Sequence, residues 1–153
     1  MSSDKRENLQ RELGAEIRAL QTAVDSFDAA AAESMGINRT DLHCLDVLMQ
    51  RESAAPSELG AALGLTTGSV TALLDRLDRL GYVTRSPDPK DRRKSVVRPT
   101  PEAVRAVDEL FGPLAHDGFR QVAGYTTEQL SLLLDFMRSS RELQERHLRR
   151  IRP

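Results

Sequence analysis

Between residues 8 and 35 the apolar side chains Leu9, Leu13, Ile17, Leu20, Val24 and Phe27 recur at steps of three and four, drawing one narrow stripe along a long helix. Met35-Gly36 closes it, with glycine as the left-handed residue past the end. A stripe so narrow, on a helix longer than a small domain needs, suits packing against another long helix. The pattern then restarts. Asn38 can cap a second helix reaching about Gln50, with Ile37 and Leu42 as its hydrophobic staple and Leu42, Leu45, Val47 or Leu48, and Met49 on its buried side. Pro56 opens a short third helix that Gly64 closes. Thr66 caps a fourth over 67–80, whose inward face is Val70, Leu73, Leu74, Leu77 and Leu80, and Gly81 stops it.

Two β-branched runs follow, YVTRS and SVVR, separated by PDPKDRRK; they predict a hairpin whose tip is too long for a two-residue turn. Pro101, with Thr100 as its cap, starts a fifth helix in which Gly112-Pro113 predict a kink or break. TTEQL reads as a capping box opening a last helix from Thr126 or Thr127 to about Arg150, with Leu130, Leu133, Leu134 and Met137 facing inward. The order of elements predicts a mainly α (α+β) fold. Its two short helices, 56–63 and 67–80, joined by Gly-Leu-Thr, have the spacing of a helix-turn-helix, and the hairpin is that motif's winged extension. The expected organisation is a dimerisation helix over 1–36, a winged helix-turn-helix over 37–100 and dimerisation helices over 101–153, within one structural domain.

Charge sharpens this reading. The 153-residue chain is nearly neutral, with a formal net charge of -1, so any affinity for nucleic acid must be local. It is local: RSPDPKDRRKSVVR, residues 85–98, carries six basic side chains against two acidic ones. The first 35 residues are acidic on balance and the C-terminal RSSRELQERHLRRIR is basic, which favours intertwining of the two ends in a dimer through Leu9, Leu13, Ile17, Leu20, Leu143, Leu148 and Ile151. Cys44 is the single cysteine, so no disulfide framework or cysteine metal cage exists. His43, His116 and His147 lack metal-ligand spacing, and no phosphate loop, nucleophile elbow or paired-carboxylate motif points to an enzyme or a cofactor. No membrane span or signal segment is present, and the expected setting is the reducing cytoplasm.

SELGAALGLTTGSVTALLDRLDRLGYVTRSPDPKDRRKSVVRPT, residues 57–100, resembles the MarR family of winged helix-turn-helix transcription regulators. The resemblance rests on S-E-L-x-x-x-L-G-L, V-T-x-L-L-D-R-L, G-Y-V-x-R and the D-x-R of the wing tip, and the flanking helices extend it to nearly the whole chain. It implies a dimer that sets two winged lobes on a pseudo-palindromic double-stranded DNA site, as a repressor more than an activator. It further implies release by a small aromatic or anionic effector, or, in some members, by thiol oxidation.

On that basis the fourth helix is the reader, through Thr67, Gly68, Ser69, Thr71, Ala72, Arg76 and Arg79, and the wing contributes Arg85, Lys90, Asp91, Arg92, Arg93 and Lys94. Asp91 braces the tip and Arg92 is the candidate for a narrow minor groove. Asp75, Arg76 and Arg85 are expected to form one ion-pair set. Where family members often carry a long basic side chain this chain has Thr67 or Ala72, which cannot make a bidentate guanine contact. Pro99 replaces a leucine and is expected to shorten the returning strand. Leu42, His43 and Met49 are the candidate wall of an effector pocket. The alternatives are a winged helix used for protein contact, with a merely solvated wing, and a redox switch at Cys44; a small buried core residue is the better reading of that thiol.

Overall fold

The computed structural model describes residues 2–152, as α1 (Ser2–Ser34), α2 (Arg39–Arg51), α3 (Pro56–Leu63), α4 (Thr67–Arg79), β1 (Val83–Pro87), β2 (Ser95–Pro99), α5 (Pro101–Gln121) and α6 (Thr127–Ile151). They pack as two units, one running through Leu110 and the other starting at Phe111.

In the first unit, α2, α3, α4 and the hairpin close around Leu45, Leu48, Leu59, Leu73, Leu74, Leu77, Val83 and Val97, all essentially inaccessible. Each such side chain contributes roughly 1.5–3 kcal/mol by leaving water. Only the last turns of α1 join this core, through Ala31, Ala32 and Met35, whereas Leu9, Leu13, Ile17, Leu20, Val24 and Phe27 stay exposed. Two helix ends are built alike. Past α1, Gly36 (φ 69°) lets its N–H reach the Glu33 carbonyl and that of Ile37 reach Ala32. Past α4, Gly81 (φ 76°) does the same for Asp78, and Tyr82 for Leu77. These are Schellman endings, which a residue with a Cβ adopts only under strain. The Tyr82 hydroxyl then donates to the Met35 carbonyl (3.2 Å), tying the two endings together.

The hairpin pairs Val83 with Pro99 through to Pro87 with Ser95. Thr100 donates to the Tyr82 carbonyl and Asp88 to the Lys94 carbonyl, so the hydrogen-bonded pairs fall on the even β1 positions. The Val83–Pro99 pair is therefore of the non-bonded kind, and the missing N–H of Pro99 points away from β1. This corrects the expected shortening: the strand runs to Pro99 because no donor is needed there. On its far side β2 is bridged to Ala54, whose N–H and C=O exchange hydrogen bonds with Val97 (3.0 and 2.9 Å). The wing is thus fastened to the α2–α3 link as well as to α4.

Other expectations change. Leu80 is not inward but 45% exposed, because it is the residue at which α4 ends. On α2 the buried set is Leu42, Cys44, Leu45 and Leu48, with Asp41, while Val47 and Met49 are half-buried. Gly112-Pro113 does not break α5, which stays helical to Gln121; Pro113 forfeits one backbone donor without stopping the helix. Thr100 does cap this helix, accepting from the Ala103 N–H (3.1 Å).

In the second unit, the rest of α5 turns at Val122–Tyr125 into α6, whose N-cap Thr126 forms a reciprocal box with Gln129. No described residue of α6 is buried. Leu130, Leu133, Leu134 and Met137, expected to face inward, are exposed in the single chain, as are Leu143, Leu148, Ile151 and Phe119. A two-helix unit leaves too little surface opposite these faces to cover them.

Candidate nucleic-acid interface

α4 begins where the α3–α4 turn is tightest. Leu65 donates back to the Gly60 carbonyl (2.9 Å), and a Cβ on Gly60 would lie 3.2 Å from Val70 Cγ2 and 3.3 Å from the Leu65 oxygen. Glycine is thus what allows the two helices to approach so closely. Thr66 caps α4, its Oγ1 accepting from the Ser69 N–H (3.3 Å) and donating to Ser69 Oγ (3.0 Å). With Val70, Leu73, Leu74 and Leu77 buried, Thr67, Gly68, Ser69, Thr71, Ala72 and Arg79 are all exposed. Thr71 spends its proton on the Thr67 carbonyl (3.0 Å), so its hydroxyl faces solvent as an acceptor.

The wing tip is organised by its acids. Asp88 Oδ1 accepts from the Lys90 N–H (2.8 Å) and Asp91 Oδ1 from the Arg93 N–H (3.1 Å), while the Asp91 carbonyl accepts from Lys94 (2.9 Å). Both carboxylates turn inward onto backbone. Lys90, Arg92, Arg93 and Lys94 stand exposed, and among the described residues none of them joins an ion pair.

The remaining arginines behave differently. Arg85 meets Asp75 Oδ1 through Nη1 (2.8 Å) and Asp78 Oδ2 through Nη2 (2.9 Å), and these carboxylates hold its guanidinium protonated still more firmly than usual. Arg76 does not join that set. Its Nη2 donates to Asp41 Oδ1 (2.7 Å) and its Nε to Oδ2 (3.3 Å), a two-toothed grip that likewise raises its pKa. Asp41 is the only buried charged residue among those described. It also closes the α2 capping box, Oδ2 accepting from the Asn38 N–H (3.3 Å) while Asn38 Oδ1 accepts from the Asp41 N–H (2.9 Å). Sequence reading missed Asp41; an acid three residues past a capping Asn was the available signal. Arg98, counted in the basic run but given no role, is exposed with Nη1 3.4 Å from Ser86 Oγ.

Of the candidate effector wall, Leu42 is buried, Met49 half-buried and His43 exposed. A cleft of about 620 Å³ opens at the wing base, lined by Ser53, Pro56, Ser57, Glu58, Asp88 and Lys94 among others. Cys44 is wholly inaccessible, and burial, reinforced by the nearby Asp41 carboxylate, pushes its thiol up to about 12. No helix is long and apolar enough to cross a membrane, and no group of three or more His, Cys, Asp or Glu among the described residues could hold a metal ion.

The fold and sequence have close counterparts. YusO from Bacillus subtilis superposes with a TM-score of 0.64 at 20% identity, covering 89% of this chain and 96% of that one. A MarR variant from E. coli complexed with operator DNA superposes with a TM-score of 0.57 at 22% identity, over 84% and 93%. The uncharacterised HTH-type transcriptional regulator YcgE of Bacillus subtilis is 38% identical over 135 residues, 88% of each chain. The profile of the MarR family matches residues 35–94, from the end of α1 to the wing tip. With sequence likeness running through the helix-turn-helix and wing and on across most of the chain, this protein belongs to the MarR family of transcriptional regulators.

Proposed function

We propose that this regulator is a homodimeric repressor that binds a pseudo-palindromic operator in duplex DNA and lets go when a small aromatic or anionic effector binds. The observation that carries the DNA reading is the pairing, on one packed unit, of an exposed small-residue face on α4 with a wing tip whose four cations have no carboxylate partner among the described residues. The E. coli MarR structure of like fold, complexed with operator DNA, supports the same partner. The N-terminal turn of α4 enters the major groove, and Lys90, Arg92, Arg93 and Lys94 meet phosphate or minor groove. Arg76 and Arg85, held by carboxylates, stay outside this set of contacts. A gel-shift titration against the promoter region beside the protein's own gene tests this: a retarded species at low salt that dissolves steeply as salt rises is expected. No shift at low salt would leave the winged helix as a protein-contact module.

Dimerisation through the α1 stripe and the apolar positions of α6 completes the proposal, since these faces are left open in the single chain. Ile17→Asp places an unpaired carboxylate in that seam and is expected to weaken the dimer by roughly 3 kcal/mol, about a hundredfold in dissociation constant. Sedimentation velocity over a concentration series reads this directly.

The thiol-switch reading fares poorly on geometry. A thiol at about 12 carries almost no thiolate at neutral pH, and the thiolate is the reactive form. Cys44 in the native protein is expected to resist iodoacetamide at pH 8. Cys44→Ser is expected to lower stability by about 1–3 kcal/mol, through a hydroxyl in an apolar site, yet leave operator binding after peroxide treatment unchanged.

A further inference from the structure

We infer that Asp41 is a specificity-determining positioning residue, one that keeps the Arg76 guanidinium off the DNA. The inference rests on the DNA reading above and deepens it.

Ser69, Ala72 and Arg76 follow one another at steps of three and four, so they share one flank of α4. That flank adjoins the exposed face offered to DNA, and Arg76 lies on it with 42% of its side chain exposed. Unrestrained, a guanidinium there is a mobile phosphate ligand of the kind that binds any sequence equally well. The grip of Asp41 removes that freedom. Two N–H groups of the fork are spent on a carboxylate that is itself buried and anchored at the start of α2. The opposite flank repeats the arrangement, with Arg85 drawn down between Asp75 and Asp78. Both arginines beside the small-residue reading face are thereby neutralised, and unpaired positive charge is left to Arg79 and to the wing. Asp41 differs from Asp75 and Asp78 in being inaccessible, so neither water nor DNA can displace Arg76 by solvating its partner. What the arrangement gives up in general affinity it returns as discrimination, because sequence-blind contacts strengthen operator and random DNA alike.

The test compares operator with random duplex, by fluorescence anisotropy across a salt series, in the full-length protein and in Asp41→Asn. Asparagine keeps the side-chain oxygen that accepts from the Asn38 N–H but loses the charge that holds Arg76. The expected result is tighter binding to random duplex and a salt slope steeper by about 0.9 per subunit, so that a dimer gains roughly tenfold at 50 mM relative to 200 mM salt. The operator-to-random ratio falls accordingly. The double variant Asp41→Asn/Arg76→Met should return slope and ratio to those of the unmodified protein. A purely structural role for Asp41 predicts parallel weakening on both duplexes with no change of slope, and that result overturns the inference. So does a double variant that loses operator affinity while keeping its thermal unfolding, because Arg76 would then be an operator contact. If Asp41→Asn fails to fold, the double variant decides alone. If the unmodified protein shifts neither duplex, it is the DNA reading that fails.

Discussion

Replacing Arg92 and Arg93 together with alanine is expected to cut operator affinity at about 0.15 M salt by roughly 10²- to 10³-fold and to flatten its salt dependence by about 3–4 units in a dimer. These side chains are free to act on phosphate because the wing's own acids are occupied. Asp88 and Asp91 each accept backbone N–H groups of the tip, at 2.8 and 3.1 Å, rather than pairing with the cations beside them. The electrostatic attraction is therefore not cancelled within the loop. The single variants should differ. If Arg92 enters a narrow minor groove, Arg92→Ala loses most affinity on operators with A·T-rich flanks, whereas Arg93→Ala weakens all sequences about equally. Anisotropy titrations at several salt concentrations, on operators with A·T and G·C flanks, separate the two roles. An unchanged slope in the double variant would mean that the wing does not touch DNA.

The largest stability effect is expected at Arg76. Truncation to alanine leaves the Asp41 carboxylate buried with one remaining donor, the Asn38 N–H at 3.3 Å. Breaking a fully buried pair costs about 3–5 kcal/mol. Arg76 is 42% exposed, so water screens part of the pair in the folded chain and the loss is discounted to about 2–4 kcal/mol. Urea unfolding of Arg76→Ala measures it. Adding Asp41→Asn to that variant removes the stranded charge and should restore more than half of the loss. A cycle without such recovery would show that Arg76 stabilises through the packing of its aliphatic stem instead.

Much of this architecture is legible in the sequence. Caps and breakers act within a few residues, so Asn38, Thr66, Thr126, Gly36, Gly64 and Gly81 could be read in place, and each falls at the helix end expected of it. Stripes say less, since a period of three or four shows which side chains share a face and not what covers that face. Leu130 and Leu133 share a stripe, yet they remain 39% and 42% exposed in the single chain. Long-range pairing was the least legible. Nearness in sequence groups Arg76 with Asp75 and Arg85, yet the partner that holds it lies 35 positions away on α2. Only the packing of the first unit brings Asp41 within reach of Arg76, and no local rule encodes that packing. The effect of Pro99 is hidden from the sequence for a related reason. Its cost depends on which pairs of the ladder are hydrogen-bonded, and that parity is set by where Thr100 and Asp88 find their partners.

The same parity shapes how the hairpin meets other chains. A two-stranded sheet has two open edges, each a template on which a foreign strand can add and begin a fibril. On β2 the outward positions are Ser95, Val97 and Pro99: Val97 is already bonded to Ala54, and Pro99 has no N–H to offer. On β1 they are Val83, Arg85 and Pro87, of which Val83 is buried and Pro87 again has no donor. Both rims are thereby blunted. A β-branched ribbon can thus project its tip into solvent, at whatever concentration the cell keeps, without inviting its copies to stack.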